Sequence, residues 1–267
     1  MTFVPKKSLG QNFLKDQKII DSIVEIGDIR KDDVVIEVGP GFGALTEKIL
    51  NKKPKSITVI EKDEKLVKFL NEKFGHKINI LNDNMMKISY ENLVKKNLII
   101  FGNLPYNIST QILAKLIKFE KLYPQIEKVV FMFQKEVADR ILARPNSKNY
   151  SRITILANLK LDIIKDFKVS KDCFFPSPKI DSKIIAFKPK TKVKFKIKNI
   201  ENLERITQIF FSGRRKMINK PFSRIFKNYK EVAEFLKINL NKRPSELSCE
   251  NFYEITEQYE KMNSGKI

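Results

Sequence analysis

A polar motif, Asn-Leu-Pro-Tyr at residues 103–106, directly follows a short apolar run. A motif of this kind would suit chemistry on the exocyclic amine of adenine. That amine is a poor nucleophile because its lone pair is delocalised into the ring, so an enzyme that alkylates it must hold both N–H groups with acceptors. The side-chain oxygen of Asn103 and the carbonyl of Leu104 are suitable acceptors. Pro105 would stiffen the turn and Tyr106 would offer a stacking face. Taken alone, such a motif is more often a proline turn with a core tyrosine, but features upstream favour catalysis.

Upstream lies a glycine-rich turn, Glu37-Val-Gly-Pro-Gly-Phe-Gly43, after the apolar run Val34–Val38. Glycines between a strand and a helix let the backbone approach a ligand closely. Glu61 follows Gly39 by 22 residues, where a carboxylate would bind ribose hydroxyls. A pyrophosphate-binding dehydrogenase would have the spacing G-x-G-x-x-G, so G-P-G-F-G favours S-adenosylmethionine instead. Asp83 could accept from the cofactor's adenine amine, although alone it would more often be a solvated loop acid.

Hydrophobic periodicity predicts the elements that position these residues. The predicted strands alternate with helices, which favours an α/β fold with a largely parallel, doubly wound sheet. A late antiparallel pair is expected at Leu161–Val169 and Lys183–Phe187. After Lys188 strand patterns stop and helical ones continue. We therefore predict a first domain over residues 1–190, with an N-terminal arm at 1–15, and a small all-helical domain over 191–267.

Charge and composition limit the class of protein. The 267 residues carry a net charge of +21, and the segment from Lys188 to Lys230 holds 14 basic residues against two acids. A solvated surface and an RNA-binding surface are equally good explanations of that segment taken alone. Cys173 and Cys249 lack metal-ligand spacing and are expected to be free thiols. The sequence shows neither an apolar run long enough to span a bilayer nor a signal peptide, so a cytoplasmic protein without membrane attachment is expected.

Several motifs in one order resemble the family of small-subunit ribosomal RNA adenine N6,N6-dimethyltransferases, whose relatives include the erythromycin-resistance rRNA methyltransferases. They span nearly the whole chain: Ser8–Leu14, Glu37–Thr46, Asn103–Thr110, Gln134–Val137, Phe174–Ser182 and Arg214–Lys216. The resemblance implies a Rossmann-like class I methyltransferase domain that uses S-adenosylmethionine. It also implies that the enzyme needs no metal and is a monomer. The similarity is looser after Phe226.

The resemblance also assigns residues. It implies that the cofactor is bound by Asn12, Leu14, Gly39, Glu61, Asp83 and Asn103. The catalytic set would be Asn103, Leu104, Pro105, Tyr106 and Phe174, with Tyr106 and Phe174 sandwiching a target adenine that has left its stack. Arg214, Arg215 and Lys216 would bind RNA.

The implied substrate is a pair of adjacent adenosines near the 3′ end of small-subunit (16S) rRNA, dimethylated on a pre-assembled subunit. Leu104 and the basic cluster at 214–216 favour this branch over large-subunit (23S) enzymes that confer macrolide resistance. Two further alternatives stay open. A non-catalytic ribosome-assembly or transcription factor would not need intact Asn103 and Glu61. A DNA adenine methyltransferase usually has an acid in place of Asn103 and a second proline in place of Leu104.

Overall fold

The computed structural model describes residues 5–6, 10–93 and 96–263. Ser8 and Leu9, which begin the first motif of the predicted N-terminal arm, lie outside the described residues. The chain divides into two compact units. The sheet unit comprises Met1–Ala138 and Leu161–Thr191, and the helical unit comprises Asp139–Lys160 and Lys192–Ile267. The helical unit is thus discontinuous in sequence, and it includes a segment that the predicted boundary at residue 190 assigns to the first domain.

Seven strands of the sheet unit form one sheet in the order β4-β3-β2-β5-β6-β9-β7. Neighbours are parallel from β4 to β6 and antiparallel from β6 to β7, which confirms the mostly parallel sheet and the late antiparallel pair. The other two strands, β1 and β8, pair with each other. The strands are β1 (Phe13–Leu14), β2 (Val34–Val38), β3 (Ser56–Glu61), β4 (Asn79–Asn82), β5 (Leu98–Asn103), β6 (Ile126–Gln134), β7 (Leu161–Val169), β8 (Phe174–Phe175) and β9 (Ser182–Pro189).

Helices alternate with the strands, as the periodicity predicts. All five residues of β2 are buried, as expected for a strand covered on both faces. Two helices begin at aspartates whose side chains accept from backbone N–H groups of the first turn: Asp16 from Ile19, and Asp63 from Lys65. The helices in this part of the chain are α1 (Gln17–Gly27), α2 (Ala44–Asn51), α3 (Glu64–Phe74), α4 (Tyr90–Leu93), α5 (Ser109–Lys118), α6 (Leu122–Gln125) and α7 (Lys135–Ile141).

The helical unit contains α8 (Arg152–Lys160), α9 (Ile200–Phe211), α10 (Asn219–Ile225), α11 (Tyr229–Phe235) and α12 (Cys249–Asn263). Its core is aromatic, with the Phe210 ring 5.7 Å from that of Phe222 and 5.5 Å from that of Phe252. The hydroxyl of Tyr253 donates to the carbonyl of Ile155 at 2.7 Å, which ties α8 to α12. This packing is the physical reason that residues 139–160 belong to this unit.

Cys173 and Cys249 are free thiols, as predicted. Among the residues that the structure describes, none of the helices is long and apolar enough to cross a membrane.

Candidate active site

A cavity of about 370 Å³ lies in the sheet unit where parallel strands end. Each of four neighbouring strands sends a loop to it, as in other open α/β sheets, where ligands bind beyond the carboxyl ends of the strands. The glycine turn follows β2, Glu61 ends β3, Asp83 follows β4 and Asn103 ends β5. The cavity lining includes every residue predicted to bind the cofactor: Asn12, Leu14, Gly39, Glu61, Asp83 and Asn103. The structure therefore brings this predicted set together.

The glycine turn leaves no room for side chains at two positions. Gly39 and Gly41 have φ angles of +71° and +59°, which side chains rarely allow. A Cβ atom on Gly39 would lie 3.2 Å from the carbonyl oxygen of Asn103, and one on Gly41 would lie 2.7 Å from the ring of Phe13. The turn consequently approaches both the end of β5 and the N-terminal arm.

Two carboxyl groups line the inner part of the cavity. Glu61 is buried and accepts a hydrogen bond from the backbone N–H of Asp63 at 2.9 Å. Burial raises the pKa of Glu61, although backbone N–H groups oppose that rise. Glu37 is also buried, and burial raises its pKa to about 7 despite a 2.6 Å hydrogen bond from the Thr46 hydroxyl. Glu37 was given no role of its own from the sequence. The available signal was one acid inside an otherwise apolar strand, Val-Val-Ile-Glu-Val.

The last residue of β5 and the loop that follows it are predicted to act on the amine. The Asn103 side chain donates through Nδ2 to the carbonyl of Asn12 at 3.1 Å. Pro105 accepts from the N–H of Ile108 at 3.1 Å, which closes the turn into α5. The hydroxyl of Tyr106 lies 2.7 Å from that of Ser182, at the start of β9. Burial raises the pKa of the Tyr106 phenol, and the bond to Ser182 partly offsets this. Leu104, Pro105 and Tyr106 also line the cavity.

The N-terminal arm, defined here as residues 5–6 and 10–15, contributes part of the cavity wall. Its strand β1 pairs antiparallel with β8, and the N–H of Lys15 donates to the carbonyl of Cys173 at 2.9 Å. Two arm side chains, those of Lys6 and Gln11, bind the carboxylate of Asp63. None of these three residues was predicted to take part in the site, since their pairing joins positions more than 50 residues apart.

Phe174 does not lie where the sequence predicted it. Its side chain is 1% exposed and packs in the hydrophobic core beneath β8, and it is absent from the cavity lining. Phe175 is 61% exposed and lines the cavity instead. Successive residues of a strand point to opposite faces, so β8 directs one ring inward and the next one outward. The placement of Phe174 at the cavity is therefore corrected.

The predicted RNA-binding cluster lies on a turn after α9 in the helical unit. Arg215 and Lys216 are exposed, whereas Arg214 is partly buried. The Arg214 guanidinium donates to the carbonyls of Ser147, at 3.1 Å, and Lys148. Arg214 thus fixes the segment before α8, while its two neighbours present their charges to solvent.

Comparisons with known proteins agree with the motifs. The family model described as "Ribosomal RNA adenine dimethylase" matches residues 3–261. The chain is 48% identical to the ribosomal RNA small subunit methyltransferase A of Pelagibacter ubique over 255 residues, 96% of this chain and 97% of that protein. The solved dimethyladenosine transferase from Plasmodium falciparum is similar with a TM-score of 0.77 and 26% identity, over 93% and 98% of the two chains. The 23S rRNA methyltransferase ErmE has the same fold, with a TM-score of 0.67 and 24% identity over 93% and 99%.

Proposed function

Since the chain belongs to the ribosomal RNA adenine dimethylase family, we propose that it transfers methyl groups from S-adenosylmethionine to N6 of two adjacent adenosines near the 3′ end of 16S rRNA. The products are N6,N6-dimethyladenosines. The proposal includes a pre-assembled small ribosomal subunit as substrate, and a monomeric cytoplasmic enzyme that needs no metal. The observation that carries it is the arrangement at the end of β5, where Asn103 and Tyr106 face the same cavity as Glu61.

The cavity residues fit S-adenosylmethionine. Glu61 and Asp83 both line the cavity, and we propose that Glu61 accepts from the ribose hydroxyls and Asp83 from the adenine amine of the cofactor. Gly39 and Gly41 line the cavity with backbone, and the space that a Cβ would need at each is already filled by Asn103 and Phe13. The cofactor has a net positive charge, because its sulfonium and ammonium groups outnumber its one carboxylate, and the acids Glu61 and Asp83 in the lining complement that charge. When bound, the cofactor supplies an electrophilic methyl group.

The residues of the chain then have to orient the amine. Asn103 accepts one N–H of the target adenine through Oδ1, and the carbonyl of Leu104 accepts the other. These two bonds aim the nitrogen lone pair at the methyl carbon. Tyr106 stacks on the flipped base, and its hydroxyl bond to Ser182 holds the ring. Phe175, the exposed ring of β8, is positioned to supply the second aromatic surface that was expected from Phe174. Methyl transfer makes the amine nitrogen cationic and acidic, so it then loses a proton to solvent water.

The helical unit is proposed to bind ribosomal RNA through basic side chains. Arg215 and Lys216 are exposed and able to neutralise phosphates. We propose that Arg214 acts indirectly, because its guanidinium already binds two carbonyls.

A substrate comparison tests the proposal. Transfer of labelled methyl groups is measured with purified unmethylated small subunits, large-subunit RNA and duplex DNA. We expect two dimethylated adenosines on the small subunit and no transfer to the others. Labelling of large-subunit RNA would support the resistance enzyme, and labelling of duplex DNA would support a DNA methyltransferase. An absence of transfer to all three, with small-subunit binding retained, would support a non-catalytic assembly factor.

A further inference from the structure

The orientation of the Asn103 side chain is set by the N-terminal arm. A backbone carbonyl can only accept a hydrogen bond, so the amide atom that faces the carbonyl of Asn12 must be Nδ2. Oδ1 of the same amide is then turned away from Asn12. If the amide rotated by half a turn, it would offer a donor to a target amine that is itself a donor. If Asn103 is the acceptor proposed above, the direction in which its Oδ1 points depends on the position of the Asn12 carbonyl.

Asp63 binds two residues of the N-terminal arm, Lys6 and Gln11, that precede Asn12 in the sequence. The Lys6 ammonium donates to Oδ1 of Asp63 at 2.9 Å, and Nε2 of Gln11 donates to Oδ2 at 2.9 Å. Oε1 of Gln11 accepts from the N–H of Lys6 at 2.7 Å, which closes the cluster. All three residues belong to the sheet unit. We name this cluster the arm latch.

The arm latch differs from an ordinary surface ion pair. The side chain of Asp63 is fully buried, although that of Lys6 is 45% exposed. Exposed pairs contribute little, but a buried carboxylate that loses its partners keeps its desolvation cost. Burial opposes ionisation of Asp63, yet the hydrogen bonds from Lys6 and Gln11, together with that from the N–H of Lys65, outweigh burial and lower its pKa. At neutral pH the carboxylate is therefore charged and holds the arm.

We propose that Lys6 and Gln11, through Asp63, are positioning residues that hold the Asn12 carbonyl against Asn103 and so keep Oδ1 presented to the target amine. This inference rests on the proposed function, because it assigns Asn103 the role of acceptor. Lys6 and Asp63 are not among the cavity-lining residues, whereas Gln11 lines the cavity and is proposed to act only through Asp63. Their effect is expected on the methyl-transfer rate when cofactor and substrate are both saturating.

The test uses arm variants, because Asp63 also caps α3 through the N–H of Lys65. The double variant Lys6→Met/Gln11→Ala removes both donors. Its matched control is Lys18→Met/Gln17→Ala, which changes the same residue types at exposed positions of α1. Single-turnover methylation of small subunits is measured at saturating cofactor, alongside calorimetric affinity for S-adenosylmethionine and thermal stability.

We expect the latch variant to be slower than the control by about tenfold, the size of effect that one hydrogen bond exerts on an equilibrium. Lys6→Arg keeps the charge and should restore most of the rate. In an Asn103→Ala background the latch substitutions should cause no further loss, because no amide is left to orient. A purely structural latch would instead slow both backgrounds equally.

Three results would overturn the proposal: a latch variant as fast as the control, a loss that saturating cofactor abolishes, or an equal loss in the Asn103→Ala background. These outcomes are separable from failure of the proposed function. If the wild-type protein does not methylate small subunits, the function is wrong, whereas normal wild-type transfer with an unaffected latch variant rejects the latch alone.

Discussion

The cavity of the sheet unit and the basic turn of the helical unit differ in whether their polar side chains are held by hydrogen bonds or exposed to solvent. In the cavity, polar groups have fixed neighbours, such as Asn103 on Asn12 and Tyr106 on Ser182. On the turn after α9, Arg215 and Lys216 are exposed. Chemistry requires atoms placed within a fraction of an ångström, whereas phosphate attraction depends on summed charge. Substitutions should accordingly cause abrupt loss in the cavity and graded loss on the turn.

The largest effect is expected from Asn103→Ala, which removes one acceptor for the amine. Loss of a single oriented group at a developing charge typically costs roughly 10²- to 10³-fold in rate. Binding of small subunits should survive, because affinity depends mainly on phosphate contacts elsewhere. Single-turnover methylation at saturating cofactor, with binding measured in parallel, tests this. A wild-type rate would show that Asn103 is not the acceptor.

Tyr106→Ala should have the next largest effect on turnover, because base stacking on an aromatic ring contributes roughly 1 to 3 kcal/mol. Tyr106→Phe keeps the ring and loses the hydroxyl bond to Ser182, so it should retain much of the activity. Ser182→Ala should match Tyr106→Phe, and the two changes together should be no worse than either one. If Tyr106→Phe is as inactive as Tyr106→Ala, stacking is not the role of this ring.

The aromatic ring proposed to face Tyr106 across the target adenine can be tested with a matched pair of variants at Phe175 and Phe174. Phe175→Leu should slow methylation with little change in stability, because its side chain is exposed at the cavity. Phe174→Leu should mainly lower the melting temperature, because its ring is buried in the core. The reverse outcome would restore the original assignment of Phe174.

Glu61→Ala should weaken cofactor binding by roughly 10- to 100-fold, since charge-assisted hydrogen bonds to hydroxyls contribute about 1.5 to 3 kcal/mol. Calorimetric titration with S-adenosylmethionine measures this directly. Glu72→Ala, at an exposed position of α3, is the control and should bind normally. An unchanged affinity for Glu61→Ala would remove the ribose assignment.

The sequence predicted the sheet well because strand and helix periods differ clearly. In the region after Lys188, where helical patterns were expected to continue, Ile200–Phe211 forms α9. By contrast, α8 went unpredicted. Its residues Ile155, Leu156, Ala157 and Leu159 are all buried, so it lacks the amphipathic stripe by which a surface helix is recognised. A helix enclosed by its neighbours can be located only when those neighbours are known.

The candidate site shows the same division between local and distant information. Gly39, Glu61, Asp83 and Asn103 could be predicted to lie together because each ends or closely follows a strand, and parallel strands end at one edge of a sheet. The arm latch and the Tyr106–Ser182 bond join residues 52 to 76 positions apart. The sequence could not show that Phe174 faces the core and Phe175 the cavity, because both are phenylalanines and a strand of two residues has no alternating pattern to read.

On the basic turn a graded effect is expected. Arg215→Glu and Lys216→Glu together should weaken subunit binding and lower the log–log salt slope by about one for each phosphate that is no longer neutralised. Cofactor affinity should not change. Arg214→Met should behave differently and lower thermal stability, because its guanidinium holds carbonyls of the segment before α8. Equal salt slopes in wild type and the double variant would mean that the turn is a solvated surface.

The smallest effect concerns the free energy of unfolding that is lost when a carboxyl group buried in the cavity ionises. Charges exposed on the helical unit cause no such loss. Burial raises the pKa of Glu37 from 4.5 to about 7. Between these values the native state binds more protons than the unfolded state, so stability falls as pH rises through that window.

Glu37→Gln removes the ionisation and still accepts from Thr46. Without cofactor, wild type should lose about 1 kcal/mol relative to this variant between pH 6 and pH 8. Denaturant unfolding at both pH values measures the difference, with exposed Glu25→Gln as the control that should show no such change. A gap between wild type and Glu37→Gln that is independent of pH would show that Glu37 is ionised throughout, and that the cavity accommodates its charge as readily as solvent does.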